Sequence, residues 1–314
     1  CVSAPIAALP GAQPASWQRE GETPRERTTM HRGALTLDAR DAGRVDYPAL
    51  IGRARAVGER IQAYTHYFDR NRSKLAVFAA TYVKSTEGVL KALREDAQRP
   101  PGERFFQDPV FIVELTERFA HRYFVAMSRV IRESSLPAQG APPPTLPEPG
   151  ELGSDPWSEI HQTIEARGTT AYIDFAYGAL VHINYDLPVV LSDLGLYDSK
   201  GQELDRIKIA DFQRFNSILG GSIDRVQKEV IERYDRRAWV INAITLRWDE
   251  RVGARVVERA RERALNDARA LAAGEAPCGF AARFSRFLRR LTRVTEPVRA
   301  TVMLTRRPDS RIWP

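Results

Sequence analysis

His182 and Asp186 stand four residues apart in the run Val181-His182-Ile183-Asn184-Tyr185-Asp186-Leu187-Pro188, so on a helix they stack on one face. Phe175 and Ala179 share that face, which turns the pair toward a helical core. Burying an imidazole and a carboxylate costs on the order of several kcal/mol unless they pair, hydrogen-bond or hold a cation. Two chemistries follow. In one, Asp186 accepts from His182 and locks the bend before Pro188. In the other, the pair, supported by Asn184, is an acid/base unit or half of a metal site, with His182 as general base and Asp186 as the carboxylate that orients it.

A second constellation is Glu114, Glu117 and His121, which share one side of a helix near Tyr123 and Phe124. Glu87 is a further carboxylate that a bundle could bring to His182. A divalent metal would then be held by His182, Asp186, Glu87 and His121, because converging carboxylates and imidazoles are how helical bundles build such centres. The chain has neither a paired Glu-x-x-His pattern nor His-Glu-x-x-His. A solvated pair of Glu117 with His121 is therefore the favoured reading of that face. His161, between Glu159 and Glu165, reads as a surface residue. Gly220-Gly221 reads as a kink or close approach within a helix, and Cys278 as packing. There is no Gly-x-Ser-x-Gly and no Rossmann glycine set, which argues against a serine hydrolase and a nucleotide enzyme.

The elements that must position these residues are marked by proline and aspartate. Asp46 with Pro48 opens a helix to about Arg70, and a second runs from Arg72 to Glu95, stopped by Pro100-Pro101-Gly102. Asp108-Pro109 is a cap followed by proline in the first helical turn, and starts a helix through Arg132. Residues 136–156 hold seven of the chain's 20 prolines and read as an exposed insert. Asp155-Pro156 opens a short helix ending at Gly168. An apolar segment from Thr169 to Asp186 is bent or stopped by Pro188. From Asp211 the positions Phe212, Phe215, Leu219, Ile223, Val226 and Val230 recur at three and four residues, and a last helix runs from about Ala238 to Gly274, a natural residue just past a helix end. No strand pattern or repeat is present. The expected fold is all-α: one multi-helix bundle over residues 46–273, with the faces of Phe175, Phe212, Phe215 and Leu219 in its core.

The whole has 314 residues, 43% hydrophobic and 28% charged, with a mean hydropathy of −0.38, the balance of a folded protein and not of a disordered one. Its net charge of +7 is concentrated: residues 275–314 hold nine arginines against Glu275, Glu296 and Asp309, and the body is nearly neutral. No nucleic-acid partner is expected from such a distribution. Residues 1–45 read as a disordered extension. Cys1 followed by small residues is the pattern of a lipidated tether, which would place the protein in the cell envelope; a cytoplasmic chain, an incomplete reading frame or the end of a signal peptide are the alternatives. In the tail, 274–314, Phe280, Phe284, Phe287, Leu288, Leu291 and Val294 form an apolar arc opposite Arg283, Arg286, Arg289, Arg290 and Arg293. Such a helix either docks on the bundle or lies on an anionic membrane surface, and docking is the expectation.

The run His182 to Val190, with Phe119-Ala120-His121-Arg122-Tyr123-Phe124, Asp211 to Leu219 and the Trp248 to Leu271 helix, resembles the bacterial family catalogued as domain of unknown function 5995, over about residues 72–273. The resemblance implies a single α-helical domain with His182, Asn184, Asp186, Asp211 and Asn216 in its recurrent polar positions. It implies no reaction. What the residues themselves point to is a polar His/Asp pocket for a small molecule, with hydrolysis, cyclisation or isomerisation as the chemistry. The alternative is a non-catalytic envelope protein in which the pair is structural.

Overall fold

The computed structural model describes residues 45–133, 156–157, 160–161, 164, 171–225, 229–230, 232–234 and 250–275. These are helical, with no strand among the described residues and a single isolated bridge between Tyr197 and Glu203. The all-α expectation holds. The extension at 1–44, nearly all of the insert, the Cys278 environment and the tail lie outside the described residues.

Helix α1, Tyr47–Arg70, begins where Asp46 accepts the backbone N–H of Ala49 at 3.0 Å, the cap that the sequence announces. It turns back into α2, Leu75–Asp96, through Asn71 and Arg72, the latter at φ 54. That left-handed residue is why α2 begins at Leu75 and not at Arg72. Asp108 accepts from Phe111 N–H at 2.9 Å and starts α3, Pro109–Glu133. Then α4, Ala171–Val181, passes through one π turn, His182–Asp186, into α5, Leu187–Asp193.

Pro188 therefore does not stop this helix, one of the two outcomes expected of it, a bend or a stop. It sits in the first turn of α5, where its missing N–H costs nothing, and the π turn absorbs the register change: Leu187 N–H bonds His182 O. The amide of Asn184 donates to Leu180 O at 2.7 Å, satisfying a carbonyl beside the widened turn.

Helix α6, Arg206–Arg225, starts five residues before Asp211, because Asp205 accepts from Ile207 and Lys208 N–H at 3.0 and 3.1 Å. It runs through Gly220-Gly221 without interruption. Helix α7, Glu250–Ala272, ends at Gly274 with φ +73, a conformation open to glycine at little cost.

Among the described residues, two apolar clusters form the interior. One gathers Tyr64, Phe68, Phe78, Tyr123, Trp157 and Tyr177; the other Phe106, Ile112, Leu187, Leu191, Phe212 and Ala268. Phe212 is fully buried as expected, Phe175 and Phe215 are half-buried, and the side chain of Leu219 is outside the described set. Phe119 packs against both clusters. The π turn lies at their junction, with Val181 in the first and Ile183 and Leu187 in the second.

Candidate functional site

Because a π turn widens one helical turn to five residues, it changes which side chains meet the core. Here it buries both His182 and Asp186, which are 3% and 1% exposed. His182 Nδ1 lies 2.7 Å from Asp186 Oδ2. An ionised carboxylate only accepts, so Nδ1 carries the proton and donates. Asp186 Oδ2 also accepts from Trp157 Nε1 at 3.0 Å, and Oδ1 from Arg122 Nε at 3.3 Å. Three donors from three segments thus fix one carboxylate, as a buried charge requires.

The imidazole is set among rings. Phe119 stacks on it with centroids 3.5 Å apart and planes within 8°, and Tyr82 meets it edge-on at 4.8 Å. Phe78, Tyr123 and Trp157 complete the cage at 5.8, 5.9 and 6.0 Å. Burial pushes the His182 pKa down, against the raising effect of its bond to Asp186 and with a further lowering from Arg122. The ring is therefore neutral, and its Nε2 is a bare acceptor.

That Nε2 is buried without a hydrogen-bond partner, and so are the hydroxyls of Tyr82 and Tyr123. The three rings are mutual neighbours, with 5.5 Å between the tyrosine centroids. Burial raises both phenol pKa values well above the ordinary value, so these hydroxyls stay protonated. One acceptor and two donors without partners, in one aromatic cage, are an exception among buried polar groups and call for a cause.

The other expected contributors lie elsewhere. Glu87 is exposed and bonded to Lys84 at 3.1 Å, on the outside of α2. His121 is on the solvent side of α3, and partial burial, with the charges of Arg60 and Arg122, pushes its pKa down. Glu117 does not pair with His121; both its oxygens are taken by Arg53, at 2.9 and 2.5 Å, and Glu114 pairs with Arg118 at 2.6 Å. The longer arginines simply outreach the imidazole. Among the described residues no three histidine, cysteine, aspartate or glutamate side chains group as metal ligands, so the set of His182, Asp186, Glu87 and His121 does not assemble. Asn184 serves the backbone of the turn and does not touch the dyad. His161 is half-buried, not a surface residue.

Asp211 and Asn216 are also away from the dyad. Asp211, wholly buried, accepts the backbone N–H of Gln107 and Asp108 at 3.1 and 2.6 Å. Asn216 accepts from Arg261 Nε at 2.5 Å. Arg261 is 2% exposed, stacked on Phe212 and Phe215 at 4.2 and 4.9 Å, and burial pushes its pKa down.

Sequence reasoning missed Tyr82, Tyr123, Phe119, Trp157 and Arg122 as parts of the site. Phe119, Arg122 and Tyr123 do fall at spacings of three and four on the helix that carries His121, a signal that faces the pair once α3 is placed beside it. Trp157, alone after the insert, gives no such signal.

No curated protein and no solved structure matches this chain. A family model matches residues 54–303, a span wider at both ends than the 72–273 read from the motifs and reaching into the basic tail. The chain belongs to this family, described as a family of unknown function, DUF5995.

Proposed function

We propose that His182 is a general base, held in its working tautomer by Asp186, and that the protein carries out a proton-transfer reaction on a small molecule. Hydrolysis, cyclisation and isomerisation are the classes that a neutral imidazole of this kind serves. The observation that carries this reading is a set of unpartnered buried atoms on three neighbouring rings: the basic Nε2 of His182 and the hydroxyls of Tyr82 and Tyr123. A base takes the proton and neutral phenols donate to the oxygen on which charge develops, a division of labour that works best in an apolar site. Arg122 and Trp157 hold the Asp186 carboxylate still, so that it orients the His182 ring.

A second reading rests on Asp186. Its three donors join α3, the Trp157 segment and the π turn, which is what a purely structural brace would do. Comparative metabolite profiling separates the two. Wild-type protein and His182→Gln, both shown folded by circular dichroism, are incubated with a cell extract. The base reading expects at least one metabolite consumed by wild type and spared by the variant. Identical profiles would favour the brace.

A further inference from the structure

On the outer side of α3, away from the aromatic cage, a cavity of about 690 Å³ opens between α1, α3 and the end of α5. Arg53, Arg60, Arg118 and Arg122 line it with His121, against the carboxylates of Glu117 and Asp193. Its size suits an organic ligand and not a bare ion.

The four arginines are not equivalent. Arg53 and Arg118 are 44% and 47% exposed and engaged with Glu117 and Glu114. Arg60 holds its guanidinium carbon over the Phe124 ring, 4.5 Å from the centroid, and also reaches the Tyr64 hydroxyl. Arg122 is only 16% exposed. It gives Nε to Asp186 and leans on the Tyr185 ring at 5.8 Å, which leaves both its terminal nitrogens, with four N–H donors, uncommitted. His121, Arg60 and Arg122 line the same cavity, and burial, with the charges of the two arginines, pushes the His121 pKa down.

We propose that this cavity binds a small molecule through an oxyanion head, carboxylate or phosphate, seated between Arg60, His121 and Arg122. A guanidinium fork presents paired N–H groups that match two oxygens of one head, a geometry a lysine would not supply. Glu117 is neutralised by Arg53. Asp193, at the end of α5, lines the same cavity, and its carboxylate favours a ligand whose remainder is neutral or cationic. The proposal stands whether or not His182 is a base, since it draws on neither Nε2 nor the tyrosines.

The test is binding of inorganic phosphate and of citrate to the whole chain, read by thermal shift and by calorimetry, with sodium chloride at matched ionic strength as the background. Saturable binding of either anion is expected, with phosphate alone marking a phosphate ester head and citrate alone a carboxylate. Arg122→Lys, which keeps the charge but loses the fork, should weaken it about tenfold. His121→Gln, at an exposed position where folding is not at stake, should weaken it as well. No saturable binding beyond the salt background would overturn the proposal. So would unchanged affinity in both variants.

Discussion

Asp96 and Asp211, from the end of α2 and the middle of α6, accept four successive backbone N–H groups between them: Phe105 and Phe106 on Asp96, Gln107 and Asp108 on Asp211. Both carboxylates are fully buried. The strand of chain they grip leads directly into α3, the helix that carries Phe119, Arg122 and Tyr123 to the dyad. Its register is thus set by two acids more than 100 residues apart in sequence, not by the Asp108 cap alone.

Asp211→Asn should destabilise the protein by about 1–3 kcal/mol, because the amide nitrogen faces a backbone donor and one N–H is left unpaired. Urea unfolding measures it. A midpoint equal to that of wild type would show that the loop is held by other contacts.

Gly178→Ala tests the approach of α4 to α2. A Cβ at Gly178 would stand 2.4 Å from Phe78 Cγ and 2.7 Å from its Cβ, and the latter cannot swing away. The expected cost is about 1–3 kcal/mol. Because Phe78 is a wall of the imidazole cage, the His182 ring resonances should shift in the variant. Unaltered stability would place the two helices further apart than the structure has them.

Protonation of His182 gives a pH dependence of defined sign. Its folded-state pKa is depressed below the ordinary 6.5, so the unfolded chain binds the proton more readily. The stability contributed by the neutral ring is complete above about pH 6.5 and is lost as pH falls below it. His121 is depressed as well and adds a slope of the same sign. His121→Gln is therefore the background in which to compare His182 with His182→Gln, by unfolding between pH 7.5 and 5.5 (range chosen about the ordinary imidazole value). An equal slope with and without His182 would contradict its burial as a neutral ring.

Most of the fold was legible because capping is local chemistry. Asp46 and Asp108 announced α1 and α3, and Gly274 the end of α7, each through a hydrogen bond or dihedral set within a few residues. The His182–Asp186 pair was legible for the same reason, being four apart. What failed were contacts between distant segments. The spacing of Glu117 and His121 suggested a pair on α3, and Arg53 from α1 took the carboxylate. Pro188 suggested a bend or a stop, and a π turn carried the helix through it. The tyrosines and Trp157 around the imidazole are ordinary core aromatics until tertiary packing brings their rings together around His182.

Removal of residues 275–314 should lower the melting temperature, since Phe280, Phe284 and Phe287 are expected to cover the bundle. Co-sedimentation with anionic and neutral vesicles accompanies the melt. Binding to anionic vesicles only, lost on truncation with no fall in melting temperature, would instead make the tail a membrane-surface helix.

The central claim is that a neutral imidazole, its Nδ1–H given to Asp186, keeps Nε2 free beside Tyr82 and Tyr123. Ring-nitrogen NMR of His182 at pH 7, in protein labelled with ¹⁵N histidine and assigned with His182→Gln, measures it directly. A protonated Nδ1 and an unprotonated Nε2 are expected, with the Nε2 resonance moving in Tyr82→Phe and Tyr123→Phe. A protonated Nε2, whether as the other tautomer or as an imidazolium, would contradict it.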